Sequence, residues 1–118
     1  MLIESNFNFK DLFVLDMANN HQGDIEHGYR IIDEHSKIVK KHNVRAGIKF
    51  QFRDLPNFVH KFEQENPTNK HVPRFLSTML GYDDYHKMVE RVRDNGLLSI
   101  CTPFDEKSVD EIISIGFD

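Results

Sequence analysis

Apolar positions along this chain follow two rhythms, and the switch from one to the other occurs three times. Leu12-Phe13-Val14-Leu15 is a short apolar run, partly β-branched, that stops at Asp16 and predicts a first strand. After Met17-Ala18, the five residues Asn19-Asn20-His21-Gln22-Gly23 favour turns and left-handed backbone. Asp24 stands where a helix N-cap is expected, and Ile25, Tyr29, Ile32 and Val39 then recur at helical spacing. That pattern predicts a helix to about Lys41, ended by His42-Asn43. A second apolar run, Ala46-Gly47-Ile48, lies within a strand predicted from Arg45 to Phe52.

The rhythm then breaks. Residues 53–73 hold Pro56, Pro67 and Pro73 among polar residues, and predict a long excursion with at most a short helical turn. Arg74 to Leu80 reads as a short helix, and Gly81 separates it from a helix over Asp83–Asp94 whose inner face is Tyr85, Met88, Val89 and Val92. Asn95-Gly96 supplies a left-handed stop. Leu97 to Cys101 is the third strand. Thr102-Pro103-Phe104-Asp105 turns into a last helix, capped by Asp105, with Val109, Ile112 and Ile113 as its expected buried stripe. Gly116 closes that helix, and Phe117-Asp118 begins a further strand.

Strand and helix alternating in this way predict an α/β fold with a parallel sheet. The two architectures built so are a doubly wound sheet and a (β/α)8 barrel. No GxGxxG follows the first strand, so a dinucleotide site lacks support. A closed barrel takes about 250 residues. The 118 residues here therefore read as the first part of a TIM (β/α)8 barrel.

Composition narrows the choice of partners. With 39% hydrophobic residues a modest core is possible. Ten Phe and no Trp favour aromatic packing over an indole-lined sugar platform. The net charge of −4, with no basic face evident, argues against nucleic acid or an anionic membrane as partner. A single cysteine, Cys101, excludes an internal disulfide and suits a reducing, cytoplasmic setting. No apolar stretch is long enough to span a bilayer, and residues 1–9 show no signal-peptide pattern. The seven histidines form no HxH or HxxxH pair, so no local metal site is indicated.

Candidate chemistry collects at the C-terminal ends of the strands, where parallel α/β folds build their sites. The first end offers Asp16, Asn19, Asn20 and His21, the second Lys49 and Gln51, the third Cys101, Thr102 and Asp105. Side chains alternate along a strand, so Lys49 and Gln51 face opposite to Phe50 and Phe52. A lysine ending an apolar run is costly unless it meets a cleft or an anion; the plainer reading is a snorkelling stem. Asp16, Asn19, Asn20 and His21 equally suit turn-forming roles, and Cys101 suits a small buried apolar one. Their joint position at successive strand ends favours a small phosphorylated, hydroxylated substrate. His60, Lys61, Lys70, His71 and Arg74 make the ends of the excursion locally basic, as a flap closing over such a substrate would be.

Three stretches in order carry a resemblance: Phe13 to Gly23 (FVLDMANNHQG), Ile48-Lys49-Phe50-Gln51, and Cys101-Thr102-Pro103-Phe104-Asp105. Together they resemble the N-terminal part of the N-acetylneuraminate (sialic acid) synthase family, over about residues 12–118. The resemblance implies a TIM barrel, usually followed by a small antifreeze-like domain. It also implies condensation of phosphoenolpyruvate with an N-acylated amino sugar such as N-acetylmannosamine, aided by a divalent metal, Mn or Mg. Lys49 matches the lysine that contacts phosphoenolpyruvate, Thr102 the threonine on the same side, and Gln51 the site glutamine. Asn20 and His21 fall in the family's Asn-His pair, among the expected substrate-binding residues. Asp16 stands where the family usually has a glutamate that meets the sugar. Ala18 replaces a usual glycine and Cys101 a usual serine, as in a divergent branch with another sugar. The metal-binding histidines and further phosphate ligands are expected beyond residue 118, and a homo-oligomer is expected for the whole protein. A non-catalytic interaction module and another phosphate-using barrel aldolase are the competing readings.

Overall fold

Three parallel strands stand side by side in chain order. The computed structural model describes residues 7–63 and 65–118; of the N-terminal stretch before the first strand it follows only the part from Phe7. β1 (Leu12–Ala18) pairs with β2 (Arg45–Phe52), and β2 with β3 (Leu98–Pro103). α1 (Ile25–His42) joins the first two strands. α2 (Leu55–Phe58), α3 (Val72–Ser77) and α4 (Tyr82–Asp94) join the second and third, and α5 (Glu106–Ile115) follows β3. Parallel neighbours cannot be joined by a tight turn, so each pairing needs a helical crossover.

One face of the sheet is packed. Ala46, Ile48, Phe50 and Phe52 of β2 are buried together with Ile32 and Val39 of α1 and Tyr85, Met88, Val89 and Val92 of α4. Full burial of side chains the size of Ile48 or Phe50 contributes about 2 kcal/mol each. Phe52 and Phe50 both meet the Tyr85 ring, with centroids 4.6 and 6.3 Å apart, so the phenylalanines serve packing as their abundance suggested. The alternate residues of β2 are Gly47, Lys49 and Gln51, and they turn to the other face. There Gly47 leaves room for a neighbour: a Cβ would lie 2.8 Å from Ile100 Cδ1.

The helices begin and end where local chemistry dictates. Asp24 accepts hydrogen bonds from the amides of Glu26 and His27 at 2.9 and 3.3 Å, and Asn43 ends α1 in left-handed backbone at φ 48°. Asp105 caps α5 by accepting from the Ser108 amide at 2.8 Å, and Gly116 closes it at φ 85°. The same Asp105 carboxylate accepts from the Asp54 amide at 2.8 Å. Ser108 Oγ accepts from that amide at 3.0 Å, and Lys107 Nζ lies 3.4 Å from the buried Asp54 carboxylate. This clasp fastens the exit of β2 to the start of α5.

Three expectations need correction. The buried stripe of α5 is Ser108, Ile112 and Ile115, whereas Val109 is 40% and Ile113 71% exposed. The clasp sets the rotation of this helix by turning Ser108 inward, which carries Val109 off the packed face. The excursion holds one short helical turn, α2, as expected, and around it Leu55, Val59 and Val72, with Phe58 and Phe75, form a small core of their own. The helix expected at Arg74–Leu80 is α3, which starts earlier because Pro73 fits its first turn. The first and third strands also run to Ala18 and Pro103, beyond the expected Leu15 and Cys101. Asp118 lies beside β3, its amide donating to the Ser99 carbonyl at 3.0 Å, as a further parallel strand would begin.

Candidate active site at the strand ends

The register of the sheet brings the expected residues to one edge. Asp16 is level with Lys49, and Gln51 with Thr102. Lys49 is half-buried, and its Nζ lies 4.0 Å from Asp16 Oδ1, at the outer limit of an ion pair. Asp16 is exposed, so this contact contributes well under 1 kcal/mol and leaves the ammonium free to meet an anion. The main chain of Gln51 is fixed by Tyr85, whose hydroxyl donates to the Gln51 carbonyl at 2.9 Å.

Past Asp16 the backbone is irregular. A bulge falls between Asp16 and Ala18, and Ala18 adopts φ 47°, left-handed backbone in which glycine is at ease and alanine is strained. The conformation explains why a glycine suits this position in the resemblance. Asn20 is exposed and, with Asn19, Gln22, Arg74, Ser77 and Thr78, lines an open polar cleft of about 410 Å³. Gly23, at φ 73°, is required by the approach of α3, since a Cβ would lie 2.8 Å from the Ser77 carbonyl oxygen.

His21 lies beneath this loop rather than on the rim with Asn20. It is 1% exposed and stands edge-on to the Tyr85 ring at 6.1 Å. Its Nδ1 accepts from the Gly23 amide at 3.1 Å, which assigns the proton of the neutral ring to Nε2. Burial, with a smaller contribution from His27, lowers its pKa to about 4, so it is uncharged near neutrality. Cys101 is half-buried, and burial pushes its thiol up to about 12, as fits a small packing residue and not a nucleophile. Asp105 is committed to the clasp. Burial raises its carboxyl, but the Asp54 amide and Ser108 outweigh that and hold it below the usual range.

Sequence reasoning missed Arg53. Its guanidinium carbon lies 4.0 Å from the ring centre of Phe104, 4.7 Å from Phe75 and 5.8 Å from Phe58. Its Nη2 donates to Gln51 Oε1 at 2.8 Å. No local signal marks this residue, because the three rings come from three separate segments. A cleft of about 490 Å³ between α1 and α4 is remote from the strand ends, and Arg91 and Asp33 pair across it at 2.6 and 2.9 Å. Among the described residues no group of three His, Cys, Asp or Glu could hold a metal ion. Asp16 offers a single donor beside Lys49, and the ligands of the metal implied by the resemblance are expected beyond residue 118.

Residues 38–118 match the NeuB family. The chain belongs to that family. Membership bears out the resemblance read from the motifs and makes this a chain of a synthase-type enzyme family. Two solved structures are similar. A putative spore coat polysaccharide biosynthesis protein E from Chromobacterium violaceum ATCC 12472 is 38% identical, with a TM-score of 0.88, over 92% of this chain and 32% of that one. An N-acetylneuraminic acid synthetase from Leptospira borgpetersenii serovar Hardjo-bovis, in complex with citrate, is 24% identical, with a TM-score of 0.68, over 91% of this chain and 33% of that one. The second likeness is one of fold. This NeuB-family chain thus spans about a third of the length of these structures. No curated protein matches it significantly. Among the described residues no helix is long and apolar enough to cross a membrane.

Proposed function

We propose that this chain is the N-terminal part of a (β/α)8-barrel synthase that joins phosphoenolpyruvate to the aldehyde of an N-acylated amino sugar. The observation that carries the reading is the row of Lys49, Gln51 and Thr102 at the ends of adjacent parallel strands within the family match. Lys49 supplies a charge-assisted donor to the phosphoenolpyruvate anion, and Thr102 a hydroxyl. Held there, the enol carbon C3 attacks the aldehyde carbon, and the new alkoxide takes up a proton. Water adds its oxygen to C2, and loss of inorganic phosphate leaves a 2-keto acid whose ketone carbon C2 adjoins the C3 end of the new bond. Asp16 is placed to orient a sugar hydroxyl. Its shorter reach than a glutamate supports a sugar different from N-acetylmannosamine.

Lys49→Ala in the full gene product tests the reading. Removal of the anion's charged partner is expected to abolish phosphoenolpyruvate-dependent phosphate release, with folding checked by the melting curve. Turnover near the wild-type level in that variant removes Lys49 from the site. A specific observation favours one other reading. β1 exposes Phe13 (55%) and Val14 (51%), and an apolar groove lies between β1 and α1. Such surface suits an interaction module. Sedimentation of the 118-residue chain discriminates: a stable monomer with a cooperative melt counts against it.

A further inference from the structure

Arg53 decides which way the Gln51 amide faces. A guanidinium has N–H donors and no acceptor, so the Gln51 atom 2.8 Å from Arg53 Nη2 is the carbonyl oxygen. The amide's two N–H bonds therefore point away from Arg53. The terminal torsion of a glutamine is soft, and without such a partner the amide can turn over at little cost. With it, one orientation is selected. Gln51 alternates onto the same face as Lys49 and stands level with Thr102. An ammonium, an amide N–H pair and a hydroxyl then line one edge, and together they form a donor set suited to an anion.

The orienting group is itself held firmly. Phe58 belongs to α2, Phe75 to α3, and Phe104 follows β3, and all three rings lie within cation–π distance of the guanidinium. Burial lowers the pKa of Arg53 from its usual value, yet an arginine so shifted remains charged near neutrality. Neither the rings nor Gln51 carries a negative charge, and among the described residues no carboxylate forms an ion pair with this cation.

We propose that Arg53, caged by Phe58, Phe75 and Phe104, is a positioning residue that holds the Gln51 amide with its N–H groups toward the anion bound by Lys49 and Thr102. The inference rests on the phosphoenolpyruvate site proposed above. The competing account is that Arg53 merely fastens the excursion to the sheet, in which case its loss lowers stability without acting through Gln51.

A double-mutant cycle in the full gene product separates the two. Arg53→Met keeps the stem against the rings and removes the donors. It is expected to raise KM for phosphoenolpyruvate about tenfold with kcat little changed, the size of one charge-assisted hydrogen bond. In a Gln51→Ala background the same substitution is expected to change KM less than about twofold. Arg53→Lys, which restores a donor, recovers most of the wild-type KM. Equal losses in both backgrounds, or a wild-type KM in Arg53→Met, overturn the proposal. Should Arg53→Met not fold, Arg53→Leu, which also removes the donors, is read in the same way, and equal losses in both backgrounds or a wild-type KM then count against positioning. If the wild type releases no phosphate, the proposed reaction fails. The cycle is then read on the Kd for phosphoenolpyruvate by calorimetry, and absence of wild-type binding overturns both proposals.

Discussion

Replacing Ala18 by glycine is expected to make the protein more stable, although it removes a side-chain carbon. Ala18 sits at φ 47° immediately after the bulge that ends the pairing of β1 with β2. A left-handed conformation costs an L-residue about 1–2 kcal/mol, because Cβ crowds the following carbonyl. Glycine escapes that cost but brings a more flexible unfolded chain, which offsets about 0.4–1 kcal/mol. The net expectation for Ala18→Gly is a gain of about 0.5–1 kcal/mol, seen as a higher denaturant midpoint at unchanged slope. Ala18→Val should move the other way by about 1 kcal/mol or more, since a β-branched side chain tolerates this backbone worst. Asparagine should fall between glycine and alanine. The series is best measured on the full gene product by urea unfolding. If glycine destabilises, or if valine equals alanine, the left-handed assignment is wrong. A parallel assay of phosphoenolpyruvate turnover shows whether the strained alanine serves the neighbouring Asp16: glycine would then gain stability and lose rate.

Two other outcomes follow from groups near the same edge. His21 is neutral in the folded chain down to about pH 4, whereas an unfolded chain takes up that proton near its ordinary value of 6.5. The contribution is therefore complete above about pH 6.5 and is lost as pH falls toward 4, by on the order of 3 kcal/mol. Urea midpoints of wild type and His21→Asn should differ more at pH 7.5 than at pH 4.5; parallel curves would sink the argument. Hydrogen exchange should be slow at residues 55–59, which have a core of their own, and fast over residues 60–71. Phosphoenolpyruvate with an N-acylated amino sugar should raise protection over 60–71, and unchanged protection would leave that stretch a spacer.

Much of this was legible because it is local. The caps at Asp24 and Asp105 need only residues within one turn, and the facing of Lys49 and Gln51 follows from strand alternation alone. The inner faces of α1 and α4 were readable because their apolar residues sit against one sheet. The phase of α5 was not, because it depends on Ser108 meeting Asp54, a contact across more than fifty residues. Polar burial of that kind leaves no apolar signature. Arg53 was hidden for the same reason. Its cage gathers rings from positions 58, 75 and 104, and prolines scattered through 53–73 mask the small core that aligns them. His21 was noticed for its type and sequence, but its burial depends on Tyr85, which arrives from the far side of the excursion.

The clasp between Asp54, Asp105, Lys107 and Ser108 has a kinematic meaning. It locks the first residues of the excursion to the body that carries β3, and Val59 and Leu55 extend that lock through α2. Any swing of the excursion therefore pivots between residues 59 and 72, not at the exit of β2. The span from Gln51 to Thr102 is then a fixed gauge, insensitive to any movement of the segment above it. A ligand bridging those two strand ends would meet its spacing ready-made, and any play is left to the other margin, where the bulge of β1 and the exposed carboxylate of Asp16 lie.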